Sequence, residues 1–414
     1  SKLGLLRKDL YVGNALVDMY AKCNLLGKAK QIFDMLPARD VVSWNTLISG
    51  YANYEHEKEA LDCFYQMQYA NVQPNAITYT CCLKACGSVK DISKGRELHA
   101  LILRQGLLGK NAIVCNALIE MYARCGCLEK AREIFNKFPV QDVFSWNALI
   151  SGYLKHNECE QALECFRKMQ MNGDCPDRFT FISILKVCGA LGAIEDGKEV
   201  HAEIARKGFL ERNLVIGNAL VDMYAKCGFL LNAREVFKKL QIKDVITWTT
   251  LIGGYAKQEY ADDALDCYMQ MRFEGFNPNA VTLVCILQAC STVRDIHMGI
   301  ETHAEAARKG YIEGGINLPV CNALIDMYGK CGSILKAQEV FEKLLIPDAI
   351  SWTSLIMTYS EYQYLKEALM LFERMRAESV SPSLVTYVCS LKSCGSIGDV
   401  DKGRKIHAEI CGKG

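Results

Sequence analysis

Apolar residues return every three or four positions in two neighbouring stretches of the chain. The first stretch carries Trp44, Leu47, Ile48 and Tyr51. The second carries Ala60, Leu61, Phe64 and Met67. This spacing places side chains on one face of an α-helix. A polar segment, residues 53–57, separates the two stretches, and Pro74 follows a predicted helix end near Asn71. The pattern therefore predicts two short antiparallel helices followed by a turn.

The same pattern recurs along the chain in a fixed frame. The four tryptophans are Trp44, Trp146, Trp248 and Trp352, and successive ones are 102, 102 and 104 residues apart. Their surroundings match, from Asp-Val-Val-Ser-Trp-Asn-Thr-Leu-Ile at 40–48 to Asp-Ala-Ile-Ser-Trp-Thr-Ser-Leu-Ile at 348–356. One hairpin cannot bury both of its apolar faces, so neighbouring copies are expected to stack into an all-α solenoid.

Each period contains three units of different length, which we call standard, long and short. In the first period they are 41–75, 76–111 and 112–142, with 35, 36 and 31 residues. The other standard units are 143–177, 245–279 and 349–383, the other long units 178–213 and 280–317, and the other short units 10–40, 214–244 and 318–348. Residues 1–9 are expected to end a preceding long unit, and 384–414 to form an incomplete one. The sequence thus predicts about twelve units in one continuous solenoid domain, with triplets at 41–142, 143–244 and 245–348.

The composition is that of a folded protein without bulk affinity for phosphate. Half of the 414 residues are apolar and only 8 are proline, which is unlike a disordered chain. Because the formal net charge is +1, any nucleic-acid binding has to come from a local groove. No apolar run reaches the length of a membrane span. The N-terminal Ser-Lys-Leu-Gly-Leu-Leu-Arg-Lys is too short and too charged for a signal peptide, and it begins inside a repeat, so a longer natural protein is expected.

The 21 cysteines and the repeated histidines follow the same frame. Equivalent cysteines are Cys23, Cys125, Cys227 and Cys331 in short units, Cys86, Cys188, Cys290 and Cys394 in long units, and Cys63, Cys165 and Cys267 in standard units. The sequence has no CxxC pair, which favours helix packing over zinc binding. His201, His303 and His407 each begin a His-Ala-Glu sequence that matches half of a zinc-deaminase signature, but the Pro-Cys-x-x-Cys half is absent. We therefore predict no catalytic residue, no metal and no cofactor.

Two polar positions of each unit vary while the tryptophan frame stays fixed. The fifth residue is Asn14, Asn116, Asn218 or Asn322 in short units and Asn45, Asn147, Thr249 or Thr353 in standard units. The last residue is Asp40, Asp142, Asp244 or Asp348 in short units and Asn75, Asp177, Asn279 or Ser383 in standard units. A fifth-residue amide should project away from the packed tryptophan and line one wall of the stack, where it can match the edge of an unstacked base. The alternative is structural, with the last residue capping the next helix and the fifth a solvated first-turn residue.

The second residue of each unit is a candidate wedge between neighbouring bases. In short and standard units it is apolar or aromatic, as Tyr11, Val42, Ile113, Phe144, Val215, Ile246 and Ile350. Flat or branched apolar side chains can sandwich an unstacked base. Ordinary packing between helices is an equally good reading of the sequence. Pro319 departs from the pattern and should weaken the contact in its unit.

The repeat words resemble those of a known family. Units of about 35 residues with Trp-Asn-Thr-Leu-Ile-Ser-Gly-Tyr, Glu-Ala-Leu, Phe, Met and Pro-Asn in order resemble pentatricopeptide repeats. The order of standard, long and short units resembles the PLS subclass of land-plant organellar RNA-editing factors. The resemblance implies a right-handed superhelix that binds single-stranded RNA, in a mitochondrion or chloroplast. It also implies that this chain is a fragment without the family's C-terminal E or DYW deaminase domain.

The resemblance further implies a base for each pair of fifth and last residues. Pairs of Asn and Asp resemble uridine readers, as in Asn147 with Asp177, whereas Asn45 with Asn75 resembles a cytidine reader. Thr249 with Asn279 resembles an adenine reader, and Thr353 with Ser383 departs from the usual combinations. The long units carry Thr80, Ile182, Val284 and Val388 at the fifth position. Because isoleucine and valine cannot bond to a base edge, the expected site is 5′-U-C-N-U-U-N-U-A-N-U-(A)-N-3′.

Two other kinds of function stay open on the sequence. A protein-interaction solenoid would bind a peptide, or an editing cofactor protein that contacts the long units, and competition by single-stranded RNA would separate it from an RNA binder. An enzyme would need the deaminase domain that the chain is expected to lack. No membrane and no DNA partner is expected.

Overall fold

A computed structural model describes residues 10–138, 141–210 and 213–412. These residues form 24 α-helices and one 3-10 turn, Glu313–Gly315, and contain no β-strand. The first twelve are α1 Leu10–Lys22, α2 Leu26–Asp34, α3 Val41–Asn53, α4 Glu57–Tyr69, α5 Ala76–Val89, α6 Ile92–Arg104, α7 Ala112–Arg124, α8 Leu128–Lys137, α9 Val143–Lys155, α10 Cys159–Met171, α11 Arg178–Leu191 and α12 Ile194–Arg206. The others are α13 Leu214–Lys226, α14 Leu230–Lys239, α15 Val245–Lys257, α16 Ala261–Phe273, α17 Ala280–Val293, α18 Ile296–Arg308, α19 Leu318–Lys330, α20 Ile334–Glu342, α21 Ala349–Glu361, α22 Leu365–Ala377, α23 Leu384–Ile397 and α24 Val400–Gly412.

Successive helices pack against each other in pairs, such as α1 with α2 and α3 with α4. The chain divides into two compact units, Ser1–Ile204 and Ala205–Gly414. In the first, the odd-numbered helices from α1 to α11 contact one another in succession, and each even-numbered helix from α2 to α10 also contacts the helix that follows it. The second unit repeats this arrangement from α13 to α23. The expected all-α repeat fold is therefore confirmed.

The predicted helix ends can be compared with the structure in only part of the chain. The predicted turn at 53–57 and the helix end before Asn71 agree with the ends of α3 and α4. Both helices of the last unit, α23 and α24, are present. Residues 1–9 lie outside the described part of the chain. The right-handed sense and the single continuous domain stay predictions.

An aromatic pair explains the constant tryptophan frame. Each tryptophan lies at most 3% exposed at the start of a standard unit. It meets the edge or face of a phenylalanine from the second helix of the preceding short unit. The pairs are Phe33–Trp44 at 4.7 Å, Phe135–Trp146 at 4.5 Å, Phe237–Trp248 at 4.6 Å and Phe341–Trp352 at 4.6 Å between ring centroids. One large buried contact thus joins every short unit to the next standard unit.

The cysteines pack mostly as predicted, with one exception. No disulfide bond joins any of the 21 cysteines, all of which lie in the described ranges. The four of the long units and the three of the standard units are buried, and burial raises the pKa of the Cys86 thiol to about 12. Cys23 is exposed, so the packing assignment was wrong there, because α1 has no described unit before it. No helix in the described ranges is long and apolar enough to cross a membrane.

Small residues fit together where a short unit meets a standard unit. A methyl group built on Gly152 would lie 2.6 Å from Cβ of Ala123, far inside normal contact. Gly50 meets Ala21 in the same way, and Gly254 meets Ala225. At the fourth junction the sizes are exchanged. The glycine is Gly329, on the short unit, and it faces Thr358 of the standard unit.

Replacing Gly152 with threonine should lower the free energy of unfolding by about 1–2 kcal/mol. Overpacking typically costs about 1–3 kcal/mol. Removing glycine from a helix interior offsets a few tenths of this. The second change Ala123→Gly recreates the pairing of Gly329 with Thr358 and should restore part of the loss. Urea unfolding followed by circular dichroism measures both variants. A double variant that is as unstable as the sum of the two single ones would contradict the size matching.

Candidate nucleic-acid interface

The last residue of each short and standard unit caps the first helix of the next unit. The side chain of Asp177 accepts hydrogen bonds from the main-chain N–H groups of Phe179 and Thr180, both at 2.9 Å. Equivalent caps are made by Asp40, Asn75, Asp142, Asp244, Asn279, Asp348 and Ser383. The structural alternative for this position is thus correct, since an N-cap satisfies otherwise unpaired N–H groups.

The same side chain also holds the fifth residue. The amide of Asn147 donates to Asp177 at 3.0 Å, and the amide of Asn45 donates to Asn75 at 3.0 Å. The corresponding contacts are Asn116–Asp142 at 3.0 and 3.1 Å, Asn322–Asp348 at 3.2 and 3.4 Å, and Thr353–Ser383 at 3.4 Å. Asn14 bonds to Asp40, and Asn218 bonds to Asp244. The structure therefore brings together these pairs of fifth and last residues.

Thr249 and Asn279 are linked indirectly. The hydroxyl of Thr249 donates to the main-chain oxygen of Val245 at 2.6 Å and lies 2.7 Å from the hydroxyl of Thr282. That hydroxyl also lies 3.1 Å from the side-chain oxygen of Asn279. A shorter side chain than asparagine thus needs an intermediary to reach the last residue.

The fifth residues are less exposed than the sequence suggested. Asn45, Thr249 and Asn322 are buried, at 7–8% exposure, and the remaining five are half-buried. The alternative of a solvated first-turn residue therefore does not describe them. Each is wedged between its own first helix and the capped start of the next, because its partner is the capping residue. Contact with the capping residue fixes the direction of the side chain.

Four of the capping carboxylates are held in the ionised form. Burial by itself would raise the pKa of Asp177, but hydrogen bonds from Thr180 and from the amide of Asn147 outweigh it and lower the pKa. Asp40, Asp244 and Asp348 have lowered pKa values for the same reasons. A carboxylate that accepts several hydrogen bonds stays charged at neutral pH. An ionised carboxylate can only accept, so it orients the amide with an N–H toward itself.

The second residues point away from the core. Phe144 is 68% exposed and Val42 is 52% exposed. Tyr11, Ile113, Val215, Ile246 and Ile350 fall between 58% and 87%. Large apolar side chains at this exposure are not packed between helices, so the packing alternative does not describe them. Their role in sandwiching a base stays a prediction.

Two grooves collect these positions. One, of about 900 Å³, is lined by Ile113, Asn116, Asp142, Phe144, Asn147 and Asp177. The other, of about 670 Å³, is lined by Ile246, Thr249 and Asn279. Each is lined by first helices, the first groove by α5 to α11 and the second by α13 to α17. Predicted second, fifth and last residues therefore share one surface within each compact unit.

Two further sets of groove residues escaped the sequence analysis. The second residues of the long units are as exposed as the others, at 48–60%, and they are Ile77, Phe179, Val281 and Val385. Cations at the thirteenth position of the unit also line the grooves, as Arg124, Lys155, Lys226 and Lys257. Both sets could have been found in the sequence, because each occupies one fixed position of the repeat unit.

Two histidines of the long units, His99 and His303, pack against tyrosines of the next short unit, whereas His407 is exposed. The Nδ1 atom of His99 lies 2.9 Å from the hydroxyl of Tyr122, and that of His303 lies 2.7 Å from the hydroxyl of Tyr328. Burial lowers the pKa of both histidines, which favours the neutral ring. Within the described ranges no three residues among His, Cys, Asp and Glu are arranged to hold a metal ion.

Two protein-family models match the chain. One is described as the PPR repeat family and matches residues 39–88, 141–190, 243–292 and 347–396. The other is described as the PPR repeat and matches residues 14–41, 113–142, 218–245 and 320–345. Together the matches cover more than half of the chain, and they recur with its repeat period.

Relatives and solved structures give the same match. A chloroplastic pentatricopeptide repeat-containing protein of Arabidopsis thaliana is 34% identical, over 96% of this chain and 46% of its own. A mitochondrial one from the same plant is also 34% identical, over 99% of this chain and 39% of its own. The chain thus spans about half the length of these relatives, or less. The crystal structure of PPR10 in complex with an 18-nt psaJ RNA element has a TM-score of 0.80 at 17% identity, over 96% of this chain and 59% of that one. At that identity the likeness shows the fold.

Proposed function

The chain belongs to the pentatricopeptide repeat family, and we propose that it binds one single-stranded RNA sequence with one base facing each unit. The observation that carries this proposal is the recurrence of one polar pair, flanked by exposed apolar side chains, along a groove. In the first groove Asn147 and Asp177 lie between Phe144 and Phe179. Such an arrangement can hold the faces of an unstacked base while a polar group meets its edge.

The polarity of the groove agrees with single-stranded RNA as the ligand. The chain is nearly neutral overall, with a formal charge of +1. Lys155 and Lys257 nevertheless lie in the two grooves. Each is on the same helix as a fifth residue, Asn147 or Thr249, and follows it by about two helical turns. Local cations of this kind can neutralise phosphates without making the whole surface basic. Affinity should therefore depend moderately on salt, and selectivity on the polar pairs.

The reading is proposed to be gapped. The fifth residues of three long units are Ile182, Val284 and Val388, which offer no hydrogen bond to a base edge. The hydroxyl of Thr80, the fourth, donates to the main-chain oxygen of Ala76 at 2.8 Å. Every third base should thus be held by stacking alone. The proposed site is 5′-U-C-N-U-U-N-U-A-N-U-(A)-N-3′.

The wider role rests on the relatives. Because the two relatives described above are chloroplastic and mitochondrial, we propose an organellar location. The alternation of unit lengths supports the PLS subclass and, through it, a role in addressing RNA sites for C-to-U editing or processing, with an editing cofactor protein as a further partner. The matched models are models of repeats, in agreement with the expectation that this chain is not an enzyme.

A binding titration tests the proposal. A labelled RNA of the proposed sequence, a scrambled RNA of the same composition and the matching DNA duplex are titrated with the chain, and fluorescence anisotropy is measured at two salt concentrations. The proposed RNA should bind at least about tenfold more tightly than the scrambled one, a difference of about 1.4 kcal/mol. Equal affinity for the two RNAs would refute sequence-specific binding. A peptide-binding role would gain support if RNA did not bind at all.

A further inference from the structure

A buried hydroxyl group lies behind each polar pair. It belongs to the third residue of the following unit, which is serine or threonine at 0% exposure wherever a standard or long unit follows. These residues are Ser43, Thr78, Ser145, Thr180, Thr247, Thr282, Ser351 and Thr386. Where a short unit follows a long one, the third residue is instead apolar and buried, as in Val114 and Val320.

The hydroxyl contacts the fifth residue of the preceding unit. Thr180 donates to the amide oxygen of Asn147 at 2.7 Å, and Thr78 donates to that of Asn45 at 2.6 Å. The remaining contacts are Ser351 to Asn322 at 2.6 Å, Thr282 to Thr249 at 2.7 Å and Thr386 to Thr353 at 2.8 Å. Five of the eight fifth residues are thus bonded to a buried hydroxyl of the next unit.

The other three fifth residues show what happens without the contact. The amide oxygens of Asn14, Asn116 and Asn218 are buried without a hydrogen-bond partner. The hydroxyls of Ser43 and Thr247 donate to the capping aspartates at 2.8 Å, and that of Ser145 donates to the main-chain oxygen of Asp142 at 2.7 Å. The hydroxyls of Thr180 and Ser351 also lie within 3.0 Å of a capping aspartate, but they reach the amide oxygen as well. An unpaired buried oxygen is costly, so the hydroxyl and the amide form one unit of hydrogen bonding.

We propose that the third residue of the following unit is a positioning residue that sets which base edge the fifth residue can meet. This inference rests on the proposed RNA binding. In Asn147 the oxygen is bonded to Thr180 and one N–H to Asp177, so the second N–H is left for the groove. That N–H is a donor, and it matches a carbonyl oxygen such as those of uracil.

The same contact gives threonine the opposite polarity. The hydroxyl of Thr249 donates its proton to the main-chain oxygen of Val245. In the contact between Thr249 and Thr282, therefore, Thr282 is the donor. The hydroxyl oxygen then keeps one lone pair for the groove. A lone pair accepts a proton, and it matches an amino group such as that of adenine. One buried hydroxyl therefore supports a donor in one unit and an acceptor in another.

The long units fit this account. Val284 at the fifth position has no polar atom to orient, and the residue behind it in the next unit is Val320. Thr80 is followed by Val114 and turns its hydroxyl to its own helix. In two long units, with Ile182 before Ile216 and Val284 before Val320, the polar fifth residue and the buried hydroxyl are both missing, as expected if one serves the other.

The test is the substitution Thr180→Val, with Thr180→Ser as the conservative variant. Each chain is titrated with four RNAs that differ only at the fifth base of the proposed site. Thr180→Val should reduce the preference for uridine at that base about fivefold, which corresponds to one neutral hydrogen bond. Thr180→Ser should keep the preference. Valine occurs naturally at this position in Val114 and Val320, so the variant should fold, and thermal unfolding checks this.

Discrimination at the fourth base, which faces Asn116 and Asp142, is the internal control and should not change. If Thr180→Val weakens all four RNAs equally, the hydroxyl only caps the helix and the inference is wrong. The inference is also overturned if the preference for uridine is unaffected. If the unchanged protein shows no preference at any base, the proposed function itself fails, and the inference fails with it.

Discussion

The double substitution Asn147→Thr with Asp177→Asn is expected to change the preferred fifth base of the RNA from uridine to adenine. It gives the unit 143–177 the pair found in Thr249 and Asn279. The outward group then becomes a lone pair instead of an N–H, because Thr180 remains behind it as Thr282 does behind Thr249. A mismatched donor or acceptor left unpaired typically costs about 1–3 kcal/mol.

The affinity for the RNA with uridine should fall about tenfold, and the affinity for the RNA with adenine should rise about tenfold. The ratio of the two dissociation constants should therefore change by about a hundredfold. Anisotropy titrations with RNAs that carry U or A at the fifth base measure it. The single substitutions serve as controls and should bind both RNAs weakly. The account fails at this unit if the double variant still prefers uridine, or if the preference at another base moves.

Removing one aromatic wedge should weaken binding of the whole RNA by about ten- to a hundredfold. Phe144 is 68% exposed in the groove, so Phe144→Ala leaves the core intact. Stacking of a base on an aromatic side chain contributes about 1–3 kcal/mol. The loss should appear with every base at the flanking positions, because stacking is tolerant of sequence.

The control for this variant is Phe144→Val, which places at this position the residue that stands at Val42 and Val215. It should bind between the unchanged protein and Phe144→Ala. Dissociation constants measured at one salt concentration, with urea unfolding to confirm equal stability, give the comparison. Loss of less than about twofold in Phe144→Ala would show that the second position does not contact bases.

The fold could be predicted from the sequence because its information is local and repeated. The apolar residues spaced around Trp44 predict a helix, and the polar segment at 53–57 predicts its end. The same pattern recurs about every 102 residues. Each repetition checks the others. The aromatic pairing of Trp44 with Phe33 explains why the frame does not drift, but no pattern within one helix could predict it.

The site was harder to predict because its geometry depends on contacts between units. The sequence indicated the positions, yet it treated helix capping by the last residue, such as Asp177, as the alternative to a role beside Asn147 in base recognition. They coexist because a carboxylate has enough lone pairs for both. The half-buried state of Asn147 and the hydroxyl of Thr180 behind it arise only when two hairpins stack. The exposed second residues of the long units, such as Phe179, were missed because only the fifth residue of these units was considered as a base contact.

Selection from a randomised RNA pool tests the central claim most directly. The chain is incubated with the pool, bound RNA is sequenced through several rounds, and base preference is measured at each position of the enriched motif. The account predicts preferences that follow 5′-U-C-N-U-U-N-U-A-N-U-(A)-N-3′, with the third, sixth and ninth positions unselective. A pool without enrichment, or a motif whose unselective positions do not recur every third base, would contradict it.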